Sequence, residues 1–134
     1  MTPEQLANLH ARASASPWSA ASFAQQLNYP GAILEFTEHA FAFGRCLFEE
    51  AELLQIATDP NFQKQGLGRQ VLTAFEHEAF KRGCTRAILD VAESNTSART
   101  LYTTSGWQVD GRRKSYYPRI DGGREDALLM SKAL

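Results

Sequence analysis

The sequence predicts a mixed α/β fold: a mostly antiparallel sheet flanked by helices, with elements in the order ααβββαβαββ. Three observations carry this expectation. Between Ala32 and Thr58, the β-prone residues Ile33, Phe36, Phe41, Phe43, Leu47 and Phe48 alternate with short polar breaks, the pattern of an antiparallel meander. Between Gly66 and Lys81, Leu67, Val71, Leu72, Phe75 and Ala79 follow the helical period. Arg86 to Val91 is a further apolar strand, and its connection through that helix is a crossover, so it should run parallel to the strand before the helix.

Each element has its own local reason. Thr2-Pro3-Glu4-Gln5 reads as a helix start, with Thr2 as cap, Pro3 at the first helical position and Gln5 completing a capping box. Leu6 and Leu9 then share a face. Pro17 interrupts, Ser19 caps a second helix carrying Phe23 and Leu27, and Pro30-Gly31 ends it. The breaks in the meander fall at Thr37-Glu38-His39 and Glu49-Glu50. A third strand is expected from about Leu53 to Thr58, stopped by Asp59-Pro60-Asn61. Gly83 suits the C-terminal end of the long helix, whose polar side holds Gln70, His77 and Lys81. Ser94 or Asn95 caps the next helix, which carries Ala98, Leu101 and Tyr102 and ends near Ser105-Gly106. Two last strands, about Trp107–Tyr116 and Ala127–Lys132, are joined across Pro118 and Asp121-Gly122-Gly123.

A chain of 134 residues is expected to form one domain spanning 1–134. Fourteen Lys plus Arg against fifteen Asp plus Glu leave a net charge of −1, which argues against bulk electrostatic binding of nucleic acid or an anionic membrane. No apolar run approaches a membrane span, and the first residues lack the pattern of a signal peptide. Cys46 and Cys84 are expected to be reduced and buried. His10, His39 and His77 have no partner at helical ligand spacing, so no metal site is expected. A cytoplasmic enzyme or binding domain fits these features.

Gln63-Lys64-Gln65-Gly66-Leu67-Gly68 lies between a strand and a long helix. Glycines let backbone N–H groups approach a ligand, a helix start adds unpaired donors and a positive dipole end, and Lys64 and Arg69 add charge. The inference is an anion site, with phosphates as the expected ligand. A P-loop is disfavoured because no Lys-Ser/Thr pair follows the second glycine. A dinucleotide fingerprint is disfavoured because Val71 stands at the third glycine position and eight residues lead from Thr58 to Gly66.

Ile56-Ala57-Thr58-Asp59-Pro60, followed by Gln63-x-x-Gly66-x-Gly68, resembles the acyl-CoA-binding motif of the GNAT N-acetyltransferases. Asn95, then Leu101-Tyr102 and Gly106-Trp107, resembles the second half of that pattern. Three segments narrow the resemblance to the ribosomal-protein alanine N-acetyltransferases, the RimI type. These are Pro17-Trp18-Ser19 with Phe23, the run Asp59-Pro60 to Gly68-Arg69, and Tyr116-Tyr117-Pro118 followed by Gly123-Arg124-Glu125-Asp126-Ala127 and Met130.

The resemblance implies a GNAT-like fold and an acetyl-CoA-dependent N-acetyltransferase. Its acceptor would be the α-amine at a protein N-terminus, usually the alanine of a small-subunit ribosomal protein. It implies that Lys64, Gln65, Gly66, Leu67, Gly68 and Arg69 cradle the CoA pyrophosphate. It also implies that the backbone at Ile56, Ala57 and Thr58 pairs with the pantetheine arm and that Asn95 hydrogen-bonds that arm. Tyr102 matches the family's general acid, and a phenol is a proton donor at neutral pH. The family's base is a glutamate at the position of Asp90. Asp is one methylene shorter, so Asp90 is expected to act through a water, with Glu93 and Glu52 as the other candidates.

A second departure is the absence of the family's first β-strand before the first helix. The exposed edge is expected to be covered by a partner subunit, giving a dimer, or by the N-terminal segment. Charge is also unevenly spread. Glu35, Glu38, Glu49, Glu50 and Glu52 face only Arg45, while Arg112, Arg113, Lys114, Arg119 and Arg124 face only Asp121. These are either solvated faces or attractors for a basic peptide and for acidic groups of substrate or CoA. Two other functions stay open: a GNAT enzyme acting on a lysine or small amine, and a CoA-binding module without catalysis.

Overall fold

The computed structural model describes residues 1–134. Its elements are α1 (Pro3–Ala13), α2 (Ala20–Leu27), β1 (Ala32–Phe36), β2 (Ala40–Leu47), β3 (Glu50–Thr58), a 3-10 turn (Pro60–Phe62), α3 (Leu67–Lys81), β4 (Arg86–Ala92), α4 (Thr96–Thr104), β5 (Gln108–Pro118) and β6 (Arg124–Ala133). This is the expected order. The capping box is formed: the Gln5 N–H donates to the Thr2 hydroxyl at 3.2 Å, and the Thr2 N–H donates to the Gln5 side chain at 2.8 Å.

One six-stranded sheet, in the order β1-β2-β3-β4-β6-β5, carries both layers of helix. All neighbouring strands are antiparallel except β3 and β4, which the α3 crossover makes parallel. Alternation along β2 sends Ala40 and Ala42 to one face and Phe41 and Phe43 to the other. On the first face Val71, Leu72, Phe75 and Ala79 of α3 pack against those alanines and against Leu53 and Leu89. On the second, Leu6 and Leu9 of α1 and Phe23 of α2 pack against the phenylalanines and Ala57. A Cβ on Gly44 would lie 2.1 Å from the Glu52 carbonyl oxygen and 2.7 Å from the Phe75 ring, so only glycine fits there.

The feature that shapes the site is a bulge in β3. Phe43 opposes Gln55 and Gly44 opposes Leu53, leaving Leu54 without a partner. The bulge shifts the face parity: Leu53 and Ile56 pack on the first core, Leu54 and Ala57 on the second. Pairing of β3 with β4 is confined to Glu50–Glu52 and Arg86–Ile88, although the strands continue to Thr58 and Ala92. Beyond the bulge the two strands diverge.

Several boundaries differ from expectation. β3 begins at Glu50 rather than near Leu53, and the hairpin turn is Phe48-Glu49. Phe48 is not a strand residue; it is 92% exposed at φ 58°. A two-residue hairpin needs a positive φ to match strand twist, and turn geometry outweighs the β-propensity of phenylalanine here. β5 runs on to Pro118, through both tyrosines. Arg113 opposes Ala127 and Tyr117 opposes Glu125, so the intervening residues bulge. Within that bulge Ser115 has φ 51°, and its N–H donates to Asp126 at 2.9 Å.

The basic segment is largely consumed in holding this ribbon. Arg112 pairs with Glu93 and Asp126, and Arg124 donates to the Ser115 and Tyr116 carbonyls. The N-terminal segment does not cover the β1 edge: α1 lies on the sheet face, and Arg82 reaches the Ala32 carbonyl at the edge with a 2.9 Å hydrogen bond. Cys84 is buried as expected but Cys46 only half-buried; their sulfurs approach to 2.8 Å as free thiols, and partial burial, reinforced by Cys84, pushes the Cys46 thiol up to about 12. No helix is long and apolar enough to cross a membrane.

Candidate functional site

The divergence of β3 and β4 leaves backbone groups of β3 facing open space. The Asp59 N–H donates to the His39 carbonyl at 2.8 Å, which fixes the phase of the β2–β3 ladder. Alternation then directs Ala57 and Gln55 at β2, and turns the N–H and C=O of Ile56 and Thr58 towards the gap. Asp59 also anchors the end of the strand. Its carboxylate accepts from Asn61 N–H at 3.0 Å and from the Arg12 guanidinium at 2.7 Å, tying α1 to β3.

Below this point a groove of about 530 Å³ runs between the start of α3 and α4. Gly66 caps α3 at φ 80° with no side-chain bond, and the N–H groups from Gln63 to Arg69 find no backbone acceptor. Free donors at the positive end of a helix dipole are a geometry suited to an anion. Ile56, Ala57, Thr58, Lys64, Gly66, Leu67, Gly68, Arg69 and Asn95 all line the groove; Gln63 does so in place of Gln65. Arg69 lends charge from a fixed position, because its guanidinium is bonded to the Thr104 hydroxyl at 2.7 Å and the Thr104 carbonyl at 3.2 Å. The Asn95 side-chain oxygen caps α4 through Ala98 N–H at 3.2 Å. Its amide nitrogen is left free.

A second groove of about 510 Å³ shares Ala13, Ile56, Asn95 and Ala98 with the first, so the two meet at Ile56. Asp90, Tyr102, Tyr117 and Glu125 line it together. Tyr102 is 5% exposed, and its hydroxyl has no protein partner; burial, with a smaller contribution from Tyr117, raises its pKa and keeps it protonated. Burial, and then the charge of Asp90, push Tyr117 up to about 12. Glu125 accepts from the Ser94 N–H at 2.8 Å and the Ser94 hydroxyl at 2.9 Å, bonds that hold it below the usual carboxylate range.

The other candidate bases are elsewhere. Glu93 is paired with Arg112 at 2.9 Å and does not line the groove. Glu52 is paired with Arg45 at 3.5 Å in a separate depression beside Phe48. Asp90 is therefore the candidate that shares a groove with Tyr102.

Sequence reasoning missed His10 and Gln55, which also line the second groove. His10 follows Leu6 by four residues, so it lies on the apolar face of α1, and that spacing was the available signal. The bulge that brings Gln55 there leaves no mark in the residue pattern.

The site therefore has a basic groove suited to a phosphorylated ligand and an acidic one suited to an ammonium. They join beside free backbone donors and a protonated phenol. Residues 4–107 match the Acetyltransferase (GNAT) family. The chain is 38% identical over 128 residues to the [ribosomal protein bS18]-alanine N-acetyltransferase of Escherichia coli K12, covering 92% of this chain and 86% of that one. It is 40% identical over 122 residues to the enzyme of the same name from Haemophilus ducreyi, covering 86% and 82%. The crystal structure of the ribosomal-protein-S18-alanine N-acetyltransferase from Escherichia coli superposes with a TM-score of 0.88 at 35% identity, over 98% of this chain and 86% of that one. With the family pattern matched along most of the chain and the fold and grooves in place, this protein belongs to the GNAT family of acetyltransferases.

Proposed function

We propose that this protein transfers an acetyl group from acetyl-CoA to the α-amine of an N-terminal alanine, the acceptor being a ribosomal protein in the cytoplasm. One observation carries the reading: the basic and acidic grooves meet at Ile56, where the β3–β4 divergence leaves backbone donors free. The choice of acceptor is supported by likeness to the alanine N-acetyltransferases above.

Acetyl-CoA supplies an activated thioester. The free N–H groups at the start of α3, with Lys64 and Arg69, hold its pyrophosphate. Backbone at Ile56 and Thr58 pairs with the amides of its arm, and the free Asn95 amide adds a donor from α4. The Ile56 N–H polarises the thioester carbonyl and stabilises charge developing on its oxygen. Asp90 and Glu125 draw the acceptor ammonium into the second groove. An α-amine with a pKa of ~8 needs only a modest base, so Asp90 takes its proton through a water. Tyr102 gives its proton to the departing thiolate.

The test is release of free CoA thiol from acetyl-CoA in the presence of three acceptors. These are a peptide beginning with alanine, the same peptide N-blocked but carrying a lysine, and a small amine. Release with the first alone is expected. Release only with lysine or the small amine would move the protein to another acceptor class. Tight CoA binding with no release from any would make it a binding module.

A further inference from the structure

His10 is 2% exposed, enclosed edge-on by Phe23 and Phe41 with ring centroids at 5.6 and 5.8 Å. The Trp18 backbone N–H donates to its Nδ1 at 3.0 Å. A neutral imidazole has one N–H, so with Nδ1 accepting, the proton sits on Nε2. Nε2 makes no hydrogen bond of good geometry; the Gln55 carboxamide approaches it as a weak acceptor, which partly offsets the lowering of the His10 pKa by burial. It is not sealed away either, since the one fully enclosed side-chain polar atom without a partner is Ser105 Oγ. The cavity His10 lines is the second groove, next to Gln55 and Ile56.

An unmet donor in such a place is costly unless a ligand or water takes it. The groove's carboxylates, Asp90 and Glu125, are acceptors suited to an ammonium. His10 and Gln55 are neutral and supply N–H donors on the opposite wall. Resting on the function proposed above, we propose that His10 Nε2–H, together with the Gln55 amide, holds the carbonyl oxygen of the acceptor's first residue and so selects chain termini over lysine side chains. A terminal α-amine has a carbonyl on the adjoining carbon. A lysine ε-amine has only methylenes there, and would leave both donors unmet. His10 and Gln55 are thus specificity-determining residues.

The probe is a peptide beginning with alanine, compared with the same peptide bearing a thioamide at its first peptide bond, whose sulfur is a weak acceptor. Wild-type kcat/KM is expected to fall about 10-fold on this change. In His10→Asn the carboxamide oxygen can still accept from Trp18 but ends short of the groove, and with the Gln55 amide still in place the penalty is expected to fall to about 3-fold. Gln55→Met leaves His10 and its Trp18 bond in place and is expected to reduce the penalty part-way; it decides the matter if His10→Asn does not fold. A penalty absent in wild type, or unchanged in Gln55→Met or in folded His10→Asn, overturns this inference alone. A wild-type enzyme that acetylates no N-terminal amine overturns the proposed function and this inference with it.

Discussion

Tyr102 suits the role of an acid because it is poorly solvated. Burial disfavours the phenolate, so the proton stays available through the whole pH range in which the acceptor amine is neutral. The kcat/KM profile is accordingly expected to rise with pH to a plateau near ~8, set by the amine, and to show no alkaline decline below ~10. Tyr102→Phe should lower kcat by about 10²-fold or more while leaving CoA affinity unchanged, by isothermal titration. A variant with wild-type turnover would remove Tyr102 from the mechanism. His10 makes the opposite kind of statement. Burial lowers its pKa below the unfolded value of ~6.5, so the unfolded chain binds the extra proton first. The stability this neutral residue contributes is intact above ~6.5 and is lost progressively as pH falls below that value towards the lower folded-state pKa. Melting curves from about pH 7.5 to about pH 5.5 should show a steeper decline for wild type than for His10→Asn. Equal slopes would mean that His10 is not the titrating group.

Helices α1 to α4 were legible because their signals are local: a capping box at Thr2, a cap at Ser19, the period of Leu67 to Ala79, and Asn95 before Ala98 and Tyr102. The crossover that makes β3 and β4 parallel followed from connectivity alone. The β3 bulge did not, because Leu53-Leu54-Gln55-Ile56 reads equally well as a regular strand; what selects the bulge is packing on both faces at once. The glycine turn that starts α3 was legible in the sequence, whereas the commitment of Arg69 to Thr104 is a contact across 35 positions. The hairpin shows how a local rule misleads. Phe48 looks like a strand residue, yet it occupies a left-handed turn with its ring in water. Left-handed backbone costs a bulky residue about 1–2 kcal/mol, and an exposed ring returns little of it. Phe48→Gly is therefore expected to raise stability by about 1 kcal/mol in urea melts with activity unchanged, since the turn lies at the far end of β3 from the grooves. A loss of stability would mean that the ring has a packing role.

At the scale of the whole molecule, the sheet is two halves joined along a short parallel seam. The seam is Glu50–Glu52 against Arg86–Ile88, braced by the Arg86–Glu50 pair at 3.3 Å. Past it, the α1–α2 core holds β3 from one side while β6 holds β4 from the other, and α3 bridges them beneath. The gap is therefore part of the fold, and CoA should act as the missing connection between the halves. Amide hydrogen exchange can read this residue by residue. In the free protein, Ile56 and Thr58 should exchange fast while Ala57 and Asp59, bonded to β2, are protected. Adding CoA should slow Ile56 and Thr58 and leave the protected pair alone, because the ligand takes the gap-facing groups only. Linkage adds a global consequence: CoA at about 100 times its Kd should stabilise the folded state by about 2.7 kcal/mol, seen as a concentration-dependent rise in Tm. The two readings must agree in sign. A rise in Tm with no slowing at Ile56 and Thr58 would place CoA on the α3 loop alone, and the arm would not run along β3.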